Sequence, residues 1–484
     1  MKQLPREIAP RVDPVSLPVG IVHLGIGAFH RAHQAVYTED AVAAAGGDWG
    51  ICGVSQRSPM VVEQLGPQDG LYTLAERNGS GEHLRVVGAV RDLVWARARP
   101  EAVAARIAAP ATRLVTLTVT EKGYHHDPAT NRLRLDSPDV AADLADGGSR
   151  TVVGQVVQGL ARRRAGDAGP VTVLCCDNLP DNGHVLRGLV SDFVAHSAQA
   201  DGLADWIAAN VRFPGTMVDR ITPATTDADR ARIAAALGAH DDGAVVTEPF
   251  TQWVIEDDFV AERPAWERAG AIVTRDVRAY EQIKLRMLNG AHSALAYLAA
   301  LADEALVADA VRPDGPFLAV LRGLMADDVA PTVAVPDGFD LGAYQADLLE
   351  RFANPALRHR TLQIAMDGSQ KLPMRLLGTI RDRRRAGAEP VMASLGVAAW
   401  MRFVSARRSD SGRELAVDDP LADEIAERLR GREAPEPVVD ALLSMSQVFD
   451  AQLAADSDWR GLLVELLDAL IRDGAQRTAR RLAG

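Results

Sequence analysis

The chain has 484 residues, 47% of them apolar and 24% charged, which suits two or more soluble globular domains with ample core. A formal net charge of −12 argues against nucleic acid or an anionic membrane as partner, yet leaves room for a local basic pocket around a small anionic substrate. No apolar run reaches the roughly 20 residues of a membrane helix, and the polar, proline-bearing start "MKQLPREIAPRVDP" is unlike a signal peptide.

Residues 20–27, "GIVHLGIG", predict a buried strand running into a glycine turn, and "HRAHQAVYTEDAVAA" follows with helical spacing. Gly25 and Gly27 supply two glycines of a dinucleotide fingerprint, with Ala28 and Phe29 opening the helix. They permit a tight turn and close approach of backbone N–H groups to a pyrophosphate. His30 stands where the third glycine falls, which implies a wider helix–strand separation. G-x-G alone fits a structural turn equally well; its place between first strand and first helix favours the dinucleotide.

A second strand is predicted in "WGICGVS" (49–55). The acidic residue expected to hold the adenosine ribose is replaced there by Ser55, Gln56 and Arg57. Arg57 can favour a 2′-phosphate and hence NADP, stack on adenine, or face solvent. "LRVVGAV" and "TRLVTLTVTE" (112–121) read as further strands. At the second one's end, Thr120 and Lys122 fit either cofactor contact or a plain strand-to-turn junction. "VGQVVQGLARRRAG" predicts a helix, and "PVTVLCCDN" (170–178) a strand that places Asn178 at its C-terminal end, where open α/β sheets bind ligands. Cys175 and Cys176 would then face opposite sides of the sheet. With Cys52 they make no metal-type spacing, so no metal and a reduced, cytoplasmic compartment are expected.

Strands alternating with helices predict an α/β fold, a Rossmann-like doubly wound sheet over 1–275. From there the texture is helix after helix, among them "PFLAVLRGLMADDV", "LGAYQADLLERF", "MASLGVAAWMRFV" and "WRGLLVELLDALIRD". A mainly α-helical domain over 276–484 is expected, with "SARRSDSGRE" as a surface loop.

At the head of that helical half lies "YEQIKLRMLNGAHS" (280–293). On a wheel of 100° per residue, with Glu281 at zero, Lys284 falls near −60°, His292 near +20° and Asn289 near +80°, an arc of roughly 140°. Such an arc is a solvated face or a site. The chain carries only four lysines, Lys2, Lys122, Lys284 and Lys371, against 49 arginines; an Arg-rich codon bias is the plain cause, and where a lysine survives it, least tellingly at Lys2, its tunable proton is a reason to keep it. A desolvated lysine can take the hydroxyl proton as hydride leaves an alcohol, while amide N–H groups steady the alkoxide. Tyr280 with Lys284 also spells Y-x-x-x-K, the acid/base pair of short-chain dehydrogenases, but that pair belongs inside a single, shorter domain.

"GIGAFHRAHQAVYTED", "LTVTEKGY", "CDNLPDNGH", "FPGTMVDRITP", "EPFTQWVIEDDF", "KLRMLNGAHS" and "RHRTLQIAMDGSQKLP" together resemble the long-chain polyol (mannitol) dehydrogenase family. The resemblance implies an NAD-dependent, metal-independent secondary-alcohol dehydrogenase with Lys284 as general acid/base. It implies that Asn178 and Asn289 form the oxyanion site, that His292 orients substrate, and that Glu281 relays protons. It places Lys371 and Asp219 on the substrate side, and Arg360 is added there by its nearness in sequence; for Asp219, a local pairing with Arg220 is the plainer alternative.

Gln363 stands where the mannitol-type pattern carries an arginine, with Arg358 and Arg360 close by. The resemblance is therefore greatest to the fructuronate reductase branch, whose substrate bears a carboxylate. Interconversion of D-fructuronate and D-mannonate is expected; mannitol 2-dehydrogenase activity and a non-catalytic sugar or nucleotide sensor are the alternatives. A small-molecule substrate and a monomer or small homo-oligomer complete the expectation.

Overall fold

A computed structural model describes residues 5–127, 130–198 and 201–483. It divides into two compact units, Met1–Arg278 and Ala279–Gly484. The first is built on a six-stranded sheet of β1 (Val19–Leu24), β2 (Gly50–Ser55), β3 (Val90–Trp95), β4 (Leu114–Leu117), β5 (Val171–Cys175) and β6 (Val211–Arg212). The spatial order is β6-β5-β4-β1-β2-β3, and every pairing is parallel. This is the doubly wound order, and chain direction reverses between β1 and β4, where such sheets open a ligand crevice.

Alternation along the strands feeds two cores. Val22 and Leu24 pack into one, with the helices Pro100–Ala108, Val152–Ala165 and Asn182–His196; Ile21 packs into the other, with helix Gln34–Ala45. Cys175 and Cys176 fall into opposite cores, as adjacent strand residues must.

Two local readings change along this unit. The helix expected after the glycine turn is two pieces, Ala28–Ala32 and Gln34–Ala45, broken at His33 (φ −123, ψ −90). His33 is held there by its Nε2, 2.9 Å from the Gln252 carbonyl, and by a stack on Phe29. "LRVVGAV" spans two strands, Gly81–Val87 and β3, in different sheets. The turn between them is fixed by the Gly88 N–H donating to the buried carboxylate of Glu39, which also accepts from Arg85 Nη2 at 2.9 Å. Two small mixed sheets, Thr216–Asp219 with Gln252–Glu256 and Ile272–Thr274, and Val245–Thr247 with Tyr72–Asn78 and Gly81–Val87, add to the α/β core.

At the place of the missing third glycine, the ring of His30 is fully buried and stacks on His23 of β1, centroids 3.4 Å apart. His23 lies 2.7 Å from Thr116 Oγ1 and 2.8 Å from Thr118 Oγ1, which fixes the ring. The space between helix and strand is thus filled by an imidazole pair.

The second unit is helical, with isolated bridges at Leu306–Arg360 and Arg408–Glu414. Every residue of Ala291–Leu301 is buried, and this helix packs on Val391–Ala406. Among the described residues three segments are π-helical: Lys284–Gly290, Leu324–Val329 and Pro373–Leu377. Among the described residues no helix is long and apolar enough to cross a membrane.

Burial lowers the His23 pKa to about 3 and holds His30 well below its ordinary value, with the facing imidazole adding to the effect. Both therefore fold neutral, and the unfolded chain binds more protons below about pH 6.5. Stability from this pair should be full above that pH and drain away as pH falls toward 3. Urea melts across this window should show that slope, and His30→Leu should flatten it.

Candidate active site

On the sheet unit, the glycine turn is dictated by contact rather than by preference. Gly25 has φ +101, and a Cβ there would lie 2.1 Å from the Thr118 carbonyl oxygen. The Gly25 and Ile26 N–H groups donate to Val54 at 2.8 and 3.1 Å, which ties the loop to β2. Gly27 is exposed, and a Cβ there would meet nothing nearer than Gly25 O at 3.8 Å. The loop therefore offers open room at a helix start, where backbone N–H groups lack intrahelical acceptors. Open space beside free backbone N–H groups is what a pyrophosphate needs. Ala28 and Phe29 follow, half-buried.

Across the switch point, the expected strand 112–121 stops at Leu117, because the chain peels away to a neighbouring carboxylate. Asp177 accepts from the Val119 N–H at 2.8 Å, the Thr120 N–H at 3.1 Å and the Tyr124 hydroxyl at 2.7 Å. Thr120 takes φ +69 in consequence and lies exposed, as does Asn178 directly after Asp177. Burial pushes the Asp177 carboxyl up, and these donors oppose the shift. Asp177 escaped the sequence reading although it adjoins Asn178; an acid directly after an apolar strand was the available signal. Asn182 adds a second brace, giving Nδ2 to the Thr216 carbonyl at 2.8 Å and accepting from the Thr216 N–H at 2.9 Å.

At the end of β2, Gln56 and Gln155 exchange side-chain hydrogen bonds at 3.0 and 2.8 Å, while Arg57 is exposed. Lys122 is exposed and Lys2 lies outside the described residues. Asp219 ends its strand buried at 4% exposure. The neighbouring guanidinium of Arg220 is engaged by Glu76 and by the carbonyls of Ala32 and Glu248.

On the helical unit, Lys284 is 7% exposed and begins the π segment Lys284–Gly290. The wheel of 100° per residue does not apply there. An i→i+5 turn advances each residue by roughly 80°, so Asn289 returns to within about 40° of Lys284 instead of about 140° away. His292 falls about 40° to the other side, and Glu281 stays on the same arc. The π turn gathers these polar groups onto a narrower face than a regular helix provides.

Gly290 closes the π segment, and a Cβ there would lie 2.7 Å from the Arg375 carbonyl. The neighbouring π segment Pro373–Leu377 packs against it at this point. His292 stacks on Phe352 at 4.9 Å and meets His359 edge-on at 4.8 Å. Its Nε2 is buried without a hydrogen-bond partner among the described residues. Burial, then the nearby His359, Arg375, Arg351 and Lys371, hold it well below the ordinary histidine range. The buried ring is thus neutral. Lys371 donates from Nζ to the Met366 carbonyl at 2.5 Å. Arg358, Arg360 and Gln363 are exposed, whereas Arg351 is buried. Tyr280 packs edge-on against Phe339 at 5.5 Å. Among the described residues no three His, Cys, Asp or Glu side chains group as metal ligands.

The Rossmann domain of the mannitol dehydrogenase family matches residues 19–268, and its C-terminal domain matches residues 276–470. The chain belongs to the mannitol dehydrogenase family. It is an oxidoreductase of that family. The uncharacterized oxidoreductase YeiQ of Escherichia coli (strain K12) is 44% identical over 98% of this chain and 97% of its own. D-mannonate oxidoreductase of the same organism is 41% identical over 96% of each. Among solved structures, the Pseudomonas fluorescens mannitol 2-dehydrogenase ternary complex with NAD and D-mannitol aligns with a TM-score of 0.87. It is 36% identical and covers 99% of this chain and 97% of that one. The Y-x-x-x-K reading as a short-chain dehydrogenase falls away, since a family-specific helical domain carries Tyr280 and Lys284.

Gly25→Ala should leave mannitol dehydrogenase family chemistry groups untouched yet weaken dinucleotide binding by about tenfold or more, with a stability loss of roughly 1–3 kcal/mol. Titration calorimetry with NADH and a thermal melt would check both. Wild-type affinity would show that Thr118 can retreat.

Proposed function

We propose that this chain interconverts D-fructuronate and D-mannonate with NAD(H) as hydride carrier. The observation that carries the reading is a buried lysine at a π turn, with an amide and a neutral imidazole on the same narrow face. The nicotinamide supplies hydride to the substrate carbonyl carbon, or accepts it in the reverse direction. Lys284 gives its proton to the carbonyl oxygen as hydride arrives, and in oxidation takes it from the hydroxyl. Asn289 donates to that oxygen as negative charge develops, and Asn178 is assigned the companion role. His292 holds a substrate hydroxyl, and Glu281 passes the lysine's proton to solvent. The Gly25–Gly27 turn, with Ala28, Phe29 and Thr120, holds the dinucleotide.

Such a reaction needs no metal, because the ammonium supplies the proton and the amides supply the oxyanion donors. NAD over NADP is supported by the NAD bound in the Pseudomonas fluorescens relative and by the neutral Gln56–Gln155 pair at the end of β2. The sugar-acid substrate is supported by the D-mannonate oxidoreductase relative and by the cationic surroundings of His292. Mannitol 2-dehydrogenase activity is the second reading, favoured by that solved relative.

Purified protein should oxidise NADH with D-fructuronate faster than with D-fructose or tagaturonate. Activity on fructose with none on fructuronate would reverse the order of the two readings. Lys284→Ala should lower kcat between about a hundredfold and ten-thousandfold while NADH affinity holds. Small primary amines should restore part of the rate. Near-normal turnover of this variant would remove Lys284 from the chemistry.

A further inference from the structure

We propose that Arg375, with Lys371 and Arg351 behind it, receives the substrate's carboxylate beside His292 and sets the preference for sugar acids over neutral sugars. This inference rests on the sugar-acid reading above and names the groups that would enforce it.

The placement follows from backbone packing. Because Gly290 has no side chain, the carbonyl of Arg375 comes close to the π turn that begins at Lys284. From that position Arg375 Nη1 reaches Ser293 Oγ at 3.0 Å, next in sequence to His292. Lys371 is held by the carbonyls of Met366 and Ile364, at 2.5 and 3.4 Å, with Asp367 Oδ2 at 4.0 Å, near enough for its charge to act on His292. Arg351, 7% exposed, precedes the Phe352 on which His292 stacks.

The charges of Arg375, Arg351 and Lys371 therefore act on an imidazole whose Nε2 is buried with no hydrogen-bond partner among the described residues. Asp367 offsets part of the charge on Lys371, yet the fixed charges that act most on His292 are those of Arg375, Arg351 and Lys371, and a carboxylate is drawn to such a place more strongly than a hydroxyl. A guanidinium meets a carboxylate with two parallel hydrogen bonds, a geometry that a hydroxyl cannot return. Arg358 and Arg360, the arginines suggested by sequence proximity, are exposed instead.

The test compares Arg375→Gln and Arg375→Lys with wild type. Both keep the backbone carbonyl against Gly290. In Arg375→Gln, KM for fructuronate should rise by about 30-fold or more with kcat within about fivefold. Arg375→Lys should recover part of that loss, with melting midpoints of both variants near wild type. A KM within threefold of wild type, a loss falling wholly on kcat, or a lysine variant no better than glutamine would overturn the proposal. Melting with D-mannonate separates this inference from the activity reading. If wild type does not turn over fructuronate, yet D-mannonate raises its midpoint and Arg375→Gln abolishes the rise, the anion site stands and the activity fails. No rise in wild type overturns both.

Discussion

A single widened helical turn sets where the polar groups of the second unit's candidate site lie. An i→i+5 turn gives up regular hydrogen-bond geometry, and such turns persist where surrounding packing enforces them. Here the enforcement comes from Gly290, which admits the Arg375 carbonyl, and from the wholly buried helix Ala291–Leu301 that follows. A methyl group at 290 would push the two π segments apart. The polar arc of Lys284, Asn289 and His292 is thus a product of tertiary packing as much as of local sequence.

The sheet unit shows the same logic with different atoms. The Thr118 carbonyl stands where a side chain at position 25 would go, so the turn from β1 admits only glycine. Where the third glycine would permit close helix packing, His30 takes the space and stacks on His23. A buried imidazole pair costs acid stability and returns a rigid floor under the loop.

Much of this was legible from sequence. The β1 strand, Gly25, the strand before Asn178 (expected to reach that residue, but ending at Cys175) and the shift to helices after 275 all rest on short-range patterns, which periodicity and turn chemistry report well. The break at His33 was not legible, because its acceptor, the Gln252 carbonyl, lies 219 residues on. The early end of the 112–121 strand depends on Asp177, 58 residues beyond Val119. The π turn was also hidden: apolar periodicity reports which side is buried, not how many residues complete a turn. On a regular wheel, Asn289 therefore fell on the edge of the arc instead of near Lys284. Arg375 was overlooked because it meets Ser293 across 82 residues, while Arg358 and Arg360 drew notice through sequence proximity alone.

The Asp177 carboxylate has a further consequence. One side chain, two residues past the end of β5 and next to Asn178, tethers the chain leaving β4 through two peptide N–H groups. The two strand ends share one fastening, so neither can be re-aimed alone. Thr120 and Asn178 are thus neighbours of one carboxylate, the condition under which the effects of substitutions do not add as those of distant, independent positions do.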